Sequence, residues 1–340
     1  MTFFKFFIAA LLMISSDPIE ARRKSGRTKN TPKHAKKKSV FKKNKNRNKR
    51  QCRSENNPAY QPTQRVQKKF GSEIMSLFNV KWPDIARSAA VGRHGDQLRV
   101  DTFKDTLQQI ATRYPYKGTV ENYPYTTPLQ PLAKAPIAIE VLEADTLKAA
   151  KDLVHHGLKP LVLDMANAFR PGGAPERGAR AQEEELCRRS NLYPSLLALS
   201  GGNARFIAEK GAVYIPGVTV FKKGADGGYA EVAPFSIDVL ASAALDLNHE
   251  RVGPGYAERM KDIMRSQLRV AADHNHDTLL LSAFGCGAFK NDPKDVAKFY
   301  KDVLTENEFS GRFRKVYFGI TVGQNHETFK KVFPKGTVLQ

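Results

Sequence analysis

Residues Asp164–Glu184 read DMANAFRPGGAPERGARAQEE. They begin at the end of an apolar run, Pro160–Met165 (PLVLDM), cross a Gly/Pro loop and enter a segment with helical character. A strand that feeds a glycine loop and then a helix is the building unit of an α/β fold. In open α/β sheets, ligands bind outside the carboxyl ends of the strands, where such loops gather. Gly172 and Gly173 let the backbone take positive φ, or approach a ligand, without a Cβ clash. Asn167 follows the strand closely, which suits its amide to a ligand hydroxyl.

A second unit repeats the arrangement. The apolar run Thr278–Ser282 leads into Ala283-Phe-Gly-Cys-Gly-Ala-Phe289. Such a loop can present successive backbone N–H groups, an anion-binding nest, and Phe284 and Phe289 would supply rings to pack on a ligand. One glycine loop is weak evidence, since turns use glycine everywhere. Two of them, each after an apolar strand, are harder to dismiss.

Around these units the periodicity predicts strands over Ile137–Leu142, Ala212–Ile215, Val218–Phe221, Phe235–Leu240 and Lys315–Ile320. Helices are expected over Asp145–His156, Glu183–Leu197 (ended or kinked by Pro194), Tyr256–His274 and Asp295–Leu304. The alternation implies a mixed or parallel central sheet covered on both faces. Upstream, Thr63–Asn79 has helix-like spacing. Asp101–Arg113 reads as an amphipathic helix with Phe103, Leu107, Ile110 and Ala111 on one face and Asp101 as N-cap. Tyr114–Pro131, rich in Pro and Tyr, reads as connecting loop.

The N-terminus differs from the rest. The 340-residue chain carries a net charge of +21. Fifteen Lys or Arg lie between Arg22 and Arg50 with no Asp or Glu, so the remainder carries only +6. Such a stretch has nothing to bury; residues 22–62 are expected as a disordered polybasic arm, suited to a polyanion such as nucleic acid or equally to solvent alone. Before it, Lys5, the apolar run Phe6–Ile14 and Ile19-Glu20-Ala21 have the layout of a secretory signal peptide over residues 1–21. The run is too short to span a bilayer, so no stable membrane insertion is expected after cleavage. The competing expectation is a chance apolar N-terminus, with the arm as a nuclear-localisation or nucleic-acid patch. Three cysteines, Cys52, Cys187 and Cys286, give no full pairing and no metal-ligand spacing. His155, His156, His274 and His276 read as surface residues at helix ends.

Gln182-Glu183-Glu184 has two readings. Glu184 stands four residues before Arg188 and Glu185 four before Arg189, the spacing of surface ion pairs. The other reading comes from a resemblance. Ala166-Asn-Ala-Phe-Arg-Pro-Gly-Gly173, followed by Gln182-Glu-Glu184 and Leu186-Cys-Arg-Arg-Ser190, resembles the microbial type of poly(ADP-ribose) glycohydrolase. There, a triple glycine precedes Gln-Glu-Glu after a short spacer. Ala283–Phe289 with Asn291-Asp292-Pro293 resembles the family's diphosphate loop. The similarity extends loosely from about Trp82 to Val322.

The resemblance implies a macrodomain-like α/β fold over residues 136–335, behind an N-terminal helical accessory region over residues 63–135. It implies Glu184 as catalytic acid, Glu183 as its partner on the ribose, and Asn167, Gly172, Gly173 and Gln182 as substrate-binding residues. Gly285, Cys286, Gly287 and Ala288 would hold the diphosphate, and Phe289 would pack on the terminal ribose. A ribose–ribose bond breaks through an oxocarbenium-like state, and its departing hydroxyl needs a proton. No metal or other cofactor is required, and a monomer is expected.

Ala174 replaces the third glycine. If that position needs positive φ, alanine would cost about 1 kcal/mol and could reshape the loop; if it needs only a small residue, little changes. Three functions follow as expectations. The first is a glycohydrolase acting on poly(ADP-ribose), which the intact Gln-Glu-Glu favours. The second is an ADP-ribose-binding module without catalysis, which only Ala174 favours. The third is a hydrolase acting on mono-ADP-ribosylated protein.

Overall fold

The computed structural model describes residues 66–69, 94–199 and 204–340. The expectations for the signal peptide, the polybasic arm, Cys52 and most of Thr63–Asn79 lie outside the described residues. Among the described residues, nine strands form one sheet: β1 (Val66–Lys69), β2 (Thr119–Tyr123), β3 (Ile137–Glu143), β4 (Leu161–Met165), β5 (Ala212–Lys222), β6 (Glu231–Ser242), β7 (Thr278–Leu281), β8 (Lys315–Ile320) and β9 (Val338–Leu339). Their order is β1-β2-β5-β6-β4-β7-β8-β3-β9. The five strands β6-β4-β7-β8-β3 are mutually parallel. Antiparallel pairings add β5, β2 and β1 at one side and β9 at the other.

Both faces of the sheet are covered, as parallel strands require. Alternation along β4 sends Leu161 and Leu163 to one core and Val162 to the other. On the first face lie α5 (Tyr256–Asp273), α6 (Pro293–Leu304) and α7 (Gln324–Val332), packed through residues such as Met260, Ile263, Tyr300 and Phe329. On the second lie α1 (His94–Thr112), α2 (Thr146–His155), α3 (Gln182–Arg189) and the short α4 (Tyr193–Leu197), through Phe103, Leu107, Leu153, Leu186 and Leu196. Each such large apolar side chain contributes roughly 1.5–3 kcal/mol on burial. Among the described residues, no helix is long and apolar enough to cross a membrane.

Several elements depart from expectation. Val66–Lys69, expected within a helix, pairs with β2 as a strand, and β2 itself lies where a connecting loop was expected. Pro and Tyr density masked a short strand whose Val120 and Tyr123 are buried. The helix expected at Asp101 begins at His94, so Asp101 is an exposed mid-helix residue that accepts from Gln97 Nε2 (2.9 Å) and caps nothing. The buried Phe103, Leu107 and Ile110 of that helix share the core of the main sheet. Of the region expected as a helical accessory, this helix packs on the main sheet and β2 pairs within it.

The two strands expected over 212–221 are one, β5, whose register shifts between Ile215 and Val218. The helix expected over Glu183–Leu197 breaks at Ser190, which bridges to Val220; Pro194 sits in the first turn of α4, where its missing N–H is harmless, and ends nothing. The histidines divide. His155 and His156 are exposed, but His276 is buried beside Tyr214 and Asp238, and His274 stacks on Tyr214 at 3.5 Å between ring centroids.

Candidate active site

β6, β4 and β7 are adjacent and parallel, with Leu161 of β4 level with Asp238 of β6 and Leu279 of β7. Their carboxyl ends therefore open at one edge of the sheet, and both glycine loops leave from that edge. The first loop, 166–181, is tied to the start of α3. Glu183 accepts the N–H of Asn167 at Oε2 and that of Gly172 at Oε1, each at 2.8 Å. Glu184 accepts the N–H of Ala174 at Oε1 (2.9 Å), while its Oε2 is buried with no hydrogen-bond partner.

The two glycines are required where they stand. Gly172 and Gly173 have φ of 73° and 68°; a Cβ on Gly172 would lie 2.6 Å from Tyr193 Cδ2, and one on Gly173 would collide with the Glu184 carboxyl. Ala174 has φ of −134°, so the position does not take the positive φ for which glycine would be needed. The ion-pair reading of Glu184 also fails on geometry. Arg188 pairs with Glu185 (2.9 Å) and Arg189 with Asp145 (2.7 Å), and no ion pair takes Glu184.

Asn167 uses Oδ1 to accept the N–H groups of Phe169 and Arg170, both at 2.9 Å, which turns the loop and leaves the amide NH₂ outside these bonds. Gln182 also has a structural task. Its Oε1 accepts the Met165 N–H (2.8 Å) and its Nε2 donates to the Leu163 carbonyl (2.6 Å), so the side chain continues the ladder of β4 and splints α3 to it. Both ends of its amide carry hydrogen bonds within the protein.

The second loop follows β7. Gly285 has φ of 72°, and a Cβ there would lie 2.6 Å from Ala244 Cβ and Asn291 Nδ2. Buried Asn291 anchors the loop: its Nδ2 donates to the carbonyls of Leu245 (2.8 Å) and Gly285 (3.1 Å), and its Oδ1 accepts from Tyr256 (2.8 Å). The segment after β6 braces it from the other side, with Asn248 Nδ2 donating to the Ala288 carbonyl (2.7 Å). Gly287 and Ala288 are exposed at its tip, and Phe289 is half-buried. Phe284 is fully buried in the core, which removes it as a ligand ring. Cys286 is half-buried, its thiol pushed up to about 12 by burial and then by Asp292, so it contributes packing and a backbone N–H, with no nucleophile at neutral pH.

Asp164, the penultimate residue of β4, is fully buried, and neither carboxyl oxygen has a partner. Burial, and next the charge of Glu184, hold its carboxyl well above the usual range. Glu183 is also raised, by burial first and then by Asp164, against the pull of its two N–H donors. Cys187 of α3 is raised by burial and by the same carboxyls.

Residues 91–223 match the family model of the microbial-type PARG catalytic domain. They carry that domain. The matched span holds the first loop and both glutamates; the second loop lies beyond it and rests on structural likeness. A poly(ADP-ribose) glycohydrolase (PARG) structure from Thermomonospora curvata is similar at 29% identity and a TM-score of 0.62, covering 71% of this chain and all of that one. The same enzyme bound to the inhibitor ADP-HPD is similar at 28% identity and a TM-score of 0.59, with the same coverage. A PARG structure from Deinococcus radiodurans in complex with ADP-ribose is similar at 25% identity and a TM-score of 0.52, covering 75% of this chain and 99% of that one. No curated protein matches the chain.

In this PARG domain the structure gathers Glu183, Glu184, Asn167, Gly172 and Gly173 at one strand end and Gly285–Phe289 at its neighbour. Sequence reading gave Asp164 no role. The available signal was a carboxylate inside the apolar run PLVLDM, at a strand position that a parallel sheet buries on both sides.

Proposed function

We propose that the chain is a glycohydrolase that cuts the ribose–ribose O-glycosidic bond of poly(ADP-ribose) and releases ADP-ribose, with Glu184 as general acid and then general base. The observation that carries this reading is the division of labour between two adjacent carboxyls. Both oxygens of Glu183 are clamped by backbone N–H groups; of the four oxygens, only Glu184 Oε2 is unpartnered. A proton on that oxygen would pass to the departing 2′-hydroxyl oxygen as the glycosidic bond breaks. The resulting Glu184 carboxylate would then take a proton from the attacking water. Glu183 would orient the ribose, Asn167 would donate to its hydroxyls, and the loop 285–289 would receive the diphosphate on backbone N–H groups, with Phe289 against the terminal ribose.

The non-catalytic reading rested on Ala174, whose φ is negative and whose N–H holds Glu184. The test is release of ADP-ribose from the polymer by the wild-type chain and by Glu184→Gln. Release that vanishes in the variant while ADP-ribose still binds supports the assignment. A wild-type chain that binds ADP-ribose yet releases none overturns it.

The fifteen positive charges of residues 22–50 support electrostatic contact with a polyanion, the polymer itself or nucleic acid. Lys5, the apolar run Phe6–Ile14 and the small-residue end at Ala21 support secretion.

A further inference from the structure

At the start of the first loop, neighbouring residues differ sharply in burial. Ala166 and Ala168 are buried, Asn167 is partly exposed, and Phe169 keeps 55% of its surface in solvent. A lone exposed ring needs no explanation on a protein surface. This one is held in place. Its N–H donates to Asn167 Oδ1 (2.9 Å), and the carbonyl before it, of Ala168, accepts the N–H groups of Phe206 (2.9 Å) and Ile207 (3.4 Å). Those bonds bring Arg205 to the ring, with its guanidinium carbon 5.3 Å from the centroid. Arg205 Nε donates to the Ile207 carbonyl (2.8 Å), which fixes the guanidinium there. Among the described residues, no carboxylate forms an ion pair with Arg205. Arg170, beside Phe169, is taken by Glu176, and Glu209, whose carboxyl feels the Arg205 charge, is bonded to Arg259. An exposed ring and a cation outside any ion pair thus stand side by side on the first loop.

Ring and guanidinium together suit a nucleotide: a base stacks on an aromatic face, and a guanidinium receives a phosphate. Every unit of poly(ADP-ribose) carries both groups, so position decides which unit is met. The inference rests here on the glycohydrolase reading. In it the terminal unit has its ribose at Asn167 and Glu183 and its diphosphate on the loop 285–289. Its adenine, attached beyond the diphosphate, extends from that second loop. The penultimate unit is joined across the bond that Glu184 protonates, on the side of the first loop. We propose that Phe169 and Arg205 form a subsite for the penultimate unit of the polymer, with its adenine stacked on the exposed ring and its diphosphate met by the guanidinium. Free ADP-ribose leaves this subsite empty, whereas every longer chain fills it.

The test compares ADP-ribose with a dimer of two ADP-ribose units, by calorimetry on the full chain carrying Glu184→Gln. The dimer is expected to bind about tenfold more tightly than the monomer, the scale of one stacked base. Adding Phe169→Ala removes that advantage and leaves the monomer affinity unchanged; adding Phe169→Trp, which keeps a ring, retains it. Adding Arg205→Gln weakens the dimer alone and makes its affinity less dependent on salt. The proposal is overturned if Phe169→Ala weakens monomer and dimer equally, which would place the ring in the terminal unit's own site. It is equally overturned if neither Phe169→Ala nor Arg205→Gln alters dimer binding. Both side chains are exposed, so folded variants are expected, and Arg205→Gln decides alone if Phe169→Ala does not fold. A wild type that binds the polymer without releasing ADP-ribose would fail the glycohydrolase reading. The binding comparison needs no cleavage and would still decide whether a second unit is held.

Discussion

At the scale of single residues, the site depends on which oxygen of which carboxyl is left over. Glu184→Gln keeps an acceptor for the Ala174 N–H but has no acidic proton. We expect ADP-ribose release to fall by about 10²–10⁴-fold with ADP-ribose affinity nearly intact, as read by single-turnover kinetics beside calorimetric binding. Gly173 is set by the same carboxyl. Gly173→Ala forces a Cβ into Glu184 and a side-chain-bearing residue into φ of 68°, at a cost of about 1–2 kcal/mol for the backbone alone. Its urea midpoint should drop and its activity should fall with it; a variant as stable and active as wild type would contradict the close approach.

At the scale of elements, two loops are held in shape by side chains bonded to the backbone. Gln182 joins α3 to β4 through Met165 and Leu163, and Asn291 ties the second loop to the segment after β6. Asn291→Ala would leave the Leu245 carbonyl and the Tyr256 hydroxyl without their buried partner. Each such orphaned group costs about 1–3 kcal/mol. We expect lower thermal stability and weaker ADP-ribose binding, with the chemical step on bound substrate less affected; unchanged binding in a folded variant would remove the loop from the diphosphate role. Much of this was legible beforehand, because strand–glycine-loop–helix units announce themselves in sequence. The double use of Gln182 was not, since an amide can face ligand or backbone with equal chemistry and only the packing of α3 on β4 decides which.

At the scale of the molecule, the buried acids make stability depend on pH. The folded values of Asp164 and Glu183 lie above their unfolded ones. At low pH both states are protonated and nothing is lost. As pH rises past about 4, the unfolded chain ionises first and stability declines until the folded values are reached. Glu209, Asp262 and Glu308, lowered chiefly through their Arg and Lys partners, act oppositely and lose their contribution as pH falls through the acid range. Buried His276, held low by burial, likewise costs stability as pH falls below its unfolded value. The urea midpoint should therefore decline from mildly acidic to alkaline pH, and a flat profile there would speak against buried protonated acids. The N-terminal charges belong to this scale too. Replacing the Lys and Arg of residues 22–50 by Gln should flatten the salt dependence of binding to long polymer, measured as log affinity against log salt.

By itself the sequence determined the α/β class, the family resemblance and the two loops, because apolar periodicity, glycine placement and charged segments are local properties of the chain. It also marked Glu183 and Glu184, but left Glu184 divided between an ion pair and catalysis. Only the tertiary structure removed the ion-pair reading of Glu184, by giving Arg188 and Arg189 other partners, and placed Ala174 at a negative φ. Only it revealed β2 as a strand, His276 as buried and Asp164 as an acid without a donor. Burial and partnership depend on what distant segments bring to a place, and no spacing along the chain encodes them.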